Sequence, residues 1–325
     1  MRKLLSIFLV ILPLLSVAQF APPAGQEGTT AINADSSVFV GWATGCVVER
    51  GPMRIDKPEL GLASYGTPED ALGKADDSLL VSLGDGGHAV LTFASPICNG
   101  PGPDFAVFEN PLKWSVDTTL YFLELAFVEV SSDGENYVRF PAVTMIPETP
   151  QVTSFQCTDP CLINNFAGKY MPHYGTPFEL DELPEDALLN KDSITHVRIV
   201  DVVGCIKPEY ATYDSEGHVV NDPWPTPFES SGFDLDAVGV IHDLAHYSVP
   251  SYDRLAVELV PNPVRNQLAV HGESIQSVSL YSIDGQLLMT TENTSVDLSD
   301  LAPGLYLVRV INDGKAIVKK LIKQD

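Results

Sequence analysis

Apolar residues in the first three-quarters of the chain recur mostly at every second position, in short runs broken by Gly, Pro, Asp and Ser. That period predicts β-strands joined by tight loops. Residues 79–84 and 88–93 flank Asp85-Gly86-Gly87 and read as a hairpin with a Gly-rich turn. Residues 105–108 form a short strand after the turn string at 100–104. The run 120–130 is the longest and is apolar on both faces, which predicts a central strand. Ser132-Asp133-Gly134 then turns it into a strand at 137–140, and residues 196–203 and 237–241 supply two more. Helical signals are confined to short stretches at 67–70 and 183–189. The fold class expected is therefore all-β, with a jelly-roll-like β-sandwich over residues 19–242. Residues 243–257 have no clean period and read as a linker. Beyond it, period-two runs resume, with hairpin turns at 283–285 and 312–314. They predict a small immunoglobulin-like antiparallel β-sandwich over 258–325.

The first residues change the setting of this pattern. Arg2 and Lys3 precede an apolar run over 4–17, and Ser16-Val17-Ala18 offers a small-x-small cleavage site before Gln19. This is the layout of a secretory signal peptide over 1–18. The run is shorter than the ~20 apolar residues a spanning helix needs. No later segment is long and apolar enough to span, so no transmembrane segment is expected in the mature chain.

Charge sharpens the picture further. The net charge is −24, and residues 19–256 hold 35 acidic against 11 basic groups. Such a domain repels phosphate backbones, which excludes nucleic acid as a partner. Five cysteines leave at least one unpaired, and Cys157 and Cys161 flank a three-residue loop that an oxidising compartment could staple.

The terminal block carries a family resemblance. Val260-Pro261-Asn262-Pro263 marks its entry, and Val278 to Gly285-Gln286 its centre. Val296 to Pro303-Gly304-Leu305-Tyr306 follows, then Gly314 and Val318-Lys319-Lys320 near the end. This ordered set resembles the C-terminal sorting domain of the type IX secretion system of Bacteroidetes-type bacteria. The resemblance implies a partner in the type IX secretion machinery and a secreted or outer-membrane cell-surface location. It also implies removal of the block, with the cargo anchored to surface lipopolysaccharide or released.

Two constellations in the cargo region offer chemistry. In the first, the rigid loop 100–103 delivers Asp104 to a strand start, and Glu109-Asn110 closes the same strand. The second holds Asp222, Trp224, Asp234 and Asp236. Asp234 and Asp236 stand two apart on an extended segment, which turns both carboxylates the same way. Repelling carboxylates next to loop carbonyls and Asn suit Ca²⁺, a hard cation with oxygen ligands. The expected metal ligands are thus drawn from Asp104, Glu109, Asn110, Asp222, Asp234 and Asp236, against the plainer reading that these groups cap turns. The phrases at 123–140, 197–201 and 233–238 also resemble discoidin-like, galactose-binding sandwiches. That resemblance implies ligand contact at the loops of one end, with Trp114, Tyr210 and Trp224 able to stack on a sugar face.

No nucleophile elbow or zinc-protease signature is present, and Glu124 and Glu129 lie five apart, on opposite faces of one strand. The expectation is an exported surface binding or adhesion module, Ca²⁺-stabilised, with a glycan or another extracellular polymer as ligand. The alternatives are a glycan-active hydrolase or lyase on the same scaffold and a structural surface protein without a small ligand.

Overall fold

The structure is a computed structural model that describes residues 20–110, 120–247, 257–272, 274–312 and 315–325. The signal-peptide reading of 1–18 and the Trp114 reading fall outside these residues. The chain divides into two compact units, Met1–Ser248 and Val249–Asp325. Among the described residues both are built from antiparallel strands, with one short α-helix, α1 (Leu244–Tyr247).

The first unit contains twelve strands. They are β1 (Ile32–Asn33), β2 (Gly41–Glu49), β3 (Val81–Ser82), β4 (His88–Ile97), β5 (Phe105–Glu109) and β6 (Ala126–Ser131). After them come β7 (Val138–Arg139), β8 (Val143–Thr144), β9 (Ile163–Asn164), β10 (Tyr174–Phe178), β11 (Ile194–Asp201) and β12 (Asp234–Val240). Ten of them run in the order β1-β10-β5-β12-β2-β4-β11-β6-β7, with β3 added beside β12. The path curls on itself at β2. Its Gly41 and Trp42 pair with β12, a register shift follows near Ala43, and the rest pairs with β4. One strand thus serves both layers of the sandwich. Between the layers lie Phe105 and Val107 of β5, Leu91 of β4, Val128 of β6, Val197 of β11 and Val238 of β12. Phe105 stacks on Phe178 with ring centroids 5.4 Å apart, and Phe140 meets Phe178 edge-on at 5.1 Å.

Why β6 is buried on both faces follows from what covers it. Val128 and Val130 point into the main core, while Phe127 faces a second cluster with Leu123, Leu125, Ile146, Ile163 and Phe166. Loops from 140–170 and 202–220 supply that second layer. The turn at 131–136 behaves as its residue types demand. The Asp133 carboxylate accepts the Glu135 and Asn136 amides at 2.8 Å, and Gly134 takes φ +79°.

Two expectations change. The strand read over 120–130 starts only at Ala126. Before it, Tyr121 bridges to Thr158 and the Leu125 amide donates to the Asp222 carboxylate at 3.1 Å, so side-chain and loop partners replace a ladder. The hairpin read around Asp85-Gly86-Gly87 is not one. β3 pairs with β12 whereas β4 pairs with β2 and β11, so the glycine turn carries the chain from one layer to the other. Backbone crowds this turn: a Cβ on Gly87 would lie 2.0 Å from the Leu83 carbonyl oxygen.

Residues 243–247, read as linker, belong to the first unit. Asp243 bridges to Ile97, and its carboxylate accepts the His246 amide at 2.7 Å. The second unit is a sandwich of two sheets. One is ordered β13 (Glu258–Val260), β14 (Gln267–His271), β17 (Ser295–Asp297); the other is β16 (Leu287–Thr291), β15 (Ile275–Ser282), β18 (Gly304–Asn312), β19 (Lys315–Lys323). Leu268, Val278, Leu280, Val308, Val310 and Leu321 are buried between them.

Candidate functional site: an acidic pocket walled by phenyl rings

The sequence places its candidate acids along β5 and β12; the structure sets Asp104 apart, while Asp222, Asp234 and Asp236 lie close enough to Glu109 to raise its carboxyl. Asp104 and Glu109 sit at opposite ends of β5. At about 3.3 Å per residue, roughly 17 Å of strand lies between them. Asp104 is fully buried and fully engaged. One oxygen accepts the Gly100 amide at 2.8 Å and meets His242 Nδ1 at 2.8 Å, and the other accepts the Leu180 amide at 2.8 Å. It pins the loop 100–104 to its neighbours. Asp222 is likewise buried, and its carboxylate accepts the Leu125 amide.

Asp234 and Asp236 do not face the same way. A register shift between Leu235 and Ala237 makes Asp236 an extra residue in β12, and such a bulge breaks the period of two. Asp236 turns to the 76–77 loop and accepts the Asp77 amide at 3.4 Å. Asp234 instead accepts a hydrogen bond from the Ser82 hydroxyl.

The stacking candidates also part. Trp224 is buried, and its indole N–H donates to Asp85 at 3.1 Å. Arg54 lies 5.2 Å and Lys207 5.3 Å from its ring centre, while Tyr210 packs half-buried in the same cluster. Both rings pack with Val203 and Cys205. Between Cys157 and Cys161 the Asp159 carboxylate accepts the Cys161 amide at 2.9 Å across a short 3₁₀ turn.

What the fold brings together overlaps that set in part. A pocket of about 80 Å³ is lined by Asn110, Phe122, Glu124, Ser154, Phe155, Thr226, Phe228, Ser230 and Asp234. Glu124 and Asp234 are its acids. Burial pushes the Asp234 carboxyl up to about 7, against the Ser82 hydrogen bond that lowers it. Burial also drives Glu124 well above the usual carboxylate range, and the nearby Asp234, Glu109 and Asp222 charges push it the same way. Glu109 stands behind them, 3% exposed, with Asp234 as its strongest charged neighbour, and its Oε2 has no hydrogen-bond partner. The rings of Phe122, Phe155 and Phe228 form a curved row along the wall, with successive centroids 6.2 and 5.9 Å apart. Phe155 and Phe228 are 54% and 44% exposed, unusual for phenyl rings with a core available.

Of the sequence candidates, this pocket takes Asn110 and Asp234 in its lining and Glu109 behind it. Glu124, Phe122, Phe155 and Phe228 are additions that strand periodicity hid. Glu124, one of two Glu inside the apolar run 120–130, was the available signal. Ca²⁺ takes six to eight oxygens at about 2.3–2.6 Å, from carbonyls and waters as well as carboxylates. Among the described residues, no three His, Cys, Asp or Glu side chains are gathered so as to hold a metal. A larger cavity, about 610 Å³, lies apart from these acids against Phe20, Met145, Ile146 and His218. Its lining is mainly apolar, and its one imidazole is turned to Asp214 at 3.2 Å. Chemistry favours the smaller pocket.

No curated protein matches the chain. In structure it is similar to a β-1,2-glucanase from Parabacteroides distasonis, at 10% identity over 89% of this chain and 38% of that one, TM-score 0.24. A second similarity is to a Lactobacillus rhamnosus β-glucuronidase, at 9% identity over 94% of this chain and 46% of that one, TM-score 0.21. The chain spans less than half the length of either, and at these scores the likeness bears on neither fold nor activity. No helix among the described residues is long and apolar enough to cross a membrane. Residues 258–324 match the family model described as the secretion system C-terminal sorting domain. They are a type IX sorting domain, and it marks the chain for secretion to the cell surface or beyond.

Proposed function

We propose that the first unit is an exported cell-surface binding module whose ligand, a glycan or other extracellular polymer, is held at the pocket of Glu124, Asp234 and the three phenyl rings. The observation that carries this reading is the pairing of exposed Phe155 and Phe228 with buried carboxyls in one concavity. Exposed rings supply a flat apolar face for a sugar, and carboxyl and hydroxyl groups beside them accept and donate hydrogen bonds to it. The sorting domain delivers this surface to the exterior, where polymers are the ligands on offer. Anchoring to lipopolysaccharide after removal of the sorting domain belongs to the same reading.

A second reading, a glycan-active hydrolase, is favoured by one feature. Glu124 and Asp234 line the same cavity and burial raises both carboxyls, Glu124 well above the usual range and Asp234 to about 7, so one can keep its proton as acid while the other gives its proton up as base. A glycan array run with a reducing-sugar release assay on the full chain separates the two. Binding without release supports the module, release supports the enzyme, and retention of binding in Phe155→Ala and Phe228→Ala overturns the assignment of the pocket.

A further inference from the structure

We propose that the pocket takes an organic ammonium group, the free amine of an amino sugar within a glycan, held by Glu124 and Asp234 beneath the ring row of Phe122, Phe155 and Phe228. The inference rests on the pocket being the ligand site and names what that site selects.

Exposure comes first. Phe155 and Phe228 are exposed while Phe122 and Glu124 are buried, so a sugar ring meets the two exposed phenyl faces and a substituent reaches the buried acid. The lining decides which substituent. Its side chains are two carboxyls, three hydroxyls, one amide and three phenyl rings, with no Lys or Arg among the described residues. A carboxylate or phosphate would meet like charge there. An apolar methyl would leave the carboxyls buried without partners, which is costly. An ammonium has three N–H donors and no acceptor, and so matches a wall of acceptors. Its charge is also attracted to phenyl faces within about 6 Å. Calcium needs the oxygens gathered on one point, whereas an ammonium with three divergent donors does not.

A second observation is an unmet polar atom behind the pocket. Glu109 Oε2 is buried behind Asp234 without a hydrogen bond, and among the described residues the charged groups that act on it are acids. Elsewhere in this unit buried Glu129 is met by two arginines. A cation entering the pocket would lower the energy of Glu124 and Asp234 directly, and of Glu109 through them. The surplus of acidic over basic groups in residues 19–256 draws cations toward the surface from a distance. The exposed rings favour an amine on a flat sugar over an amine on a flexible lysine side chain, because only the former covers Phe155 and Phe228.

The test uses the full chain and isothermal titration with three tetrasaccharides: glucosamine units with free amines, the same units N-acetylated, and glucose units. Lysine-rich peptide and Ca²⁺ are parallel arms. The free-amine oligomer is expected to bind at least tenfold more tightly than the other two. Glu124→Gln and Asp234→Asn are each expected to erase that preference while melting near the wild type, and Phe155→Ala to weaken all three sugars. Equal binding of free and acetylated oligomers, with loss in Phe155→Ala, overturns the ammonium inference and leaves the sugar-binding pocket standing. Tighter binding of lysine peptide than of the free-amine oligomer overturns the amino-sugar assignment. Ca²⁺ binding that Glu124→Gln abolishes, with no response to amines, overturns the inference in favour of a metal. No binding of any sugar overturns both readings.

Discussion

Glu124 and Glu129 stand five residues apart in the chain, both buried, and the molecule treats them in opposite ways. Glu129 lies on β6 between β7 and β11. Arg139 Nε donates to its Oε1 at 2.8 Å, and Arg198 donates to its Oε2. The guanidinium groups are themselves packed, Arg139 4.1 Å above the Phe127 ring and Arg198 3.8 Å above Tyr137. This glutamate is a strut. Glu124 has the same side chain and similar burial, yet among the described residues the charged groups that act on it are Asp234, Glu109, Asp222 and Asp201, all acids. A buried acid clamped by arginines holds the fold together. A buried acid among acids costs stability, and a protein keeps one where something must arrive to balance it.

The largest effect expected from breaking this contrast is on the clamped side. Arg198→Met leaves Glu129 with one partner and should cost about 2–3 kcal/mol, the lower part of what breaking a buried pair does, because Arg198 is partly solvated. A drop in the denaturant midpoint without a change in slope checks this, and a neutral result would demote the clamp. On the pocket side the sign reverses. Glu124→Gln removes a group that resists ionisation, so stability should hold or rise by about 1 kcal/mol above neutral pH, within the range for relieving one buried charge.

The pH profile sharpens the same difference. Burial holds Asp234 and Asp236 up to about 7 and Asp85 to about 6, and raises Glu124 and Glu109 well above the usual carboxylate range. The facing groups are Ser82 at Asp234, the 76–77 loop at Asp236, and Ile55, Trp224, Arg54 and Asp56 at Asp85; Glu124 and Glu109 meet the acids already named. Raised values mean that the folded state keeps protons the unfolded chain releases above about 4. Stability is then full below about 4 and is lost as pH rises through about 7. Asp214, held below the usual range by hydrogen bonds from the Thr144, His218 and Glu216 amides, acts oppositely but only at more acid pH. The melting midpoint of the full chain should be higher at pH 5 than at pH 8, and a midpoint that climbs over that interval would contradict the assignment. Glu124→Gln should flatten the slope. The smallest effect belongs to Phe155→Ala. This exposed ring should cost little stability, within about 0.5 kcal/mol, while weakening ligand binding several-fold.

The two constellations differ in how far the chain alone exposed them. Asp133 and Gly134 declared their turn, because such turns are closed by residues two and three positions away. The sorting domain was legible for a similar reason: its markers are ordered along one short stretch. Asp234 and Asp236 misled, because a bulge at one residue reverses every facing after it, and nothing in Asp-Leu-Asp announces the bulge. Trp224 misled differently. Proline-flanked and apparently in a loop, it is held in by Asp85, Arg54 and Lys207, which arrive from 139 and 170 residues before it and 17 before it in the chain.

Composition and period determined that this chain is all-β, that its acidity lies ahead of the sorting block, and that it is addressed for export. Each depends on residues close together in sequence, where a strand alternates or a motif keeps its spacing. Which acids share a pocket was decided only by the tertiary structure. Glu109, Glu124, Phe155, Phe228 and Asp234 come from segments up to 125 residues apart. They meet because β5 and β12 pair while the segment before β6 leaves the sheet to run beneath the loops 152–158 and 224–230. Pairing across such distances is a contest among all the apolar faces of the chain, and no local pattern records its outcome.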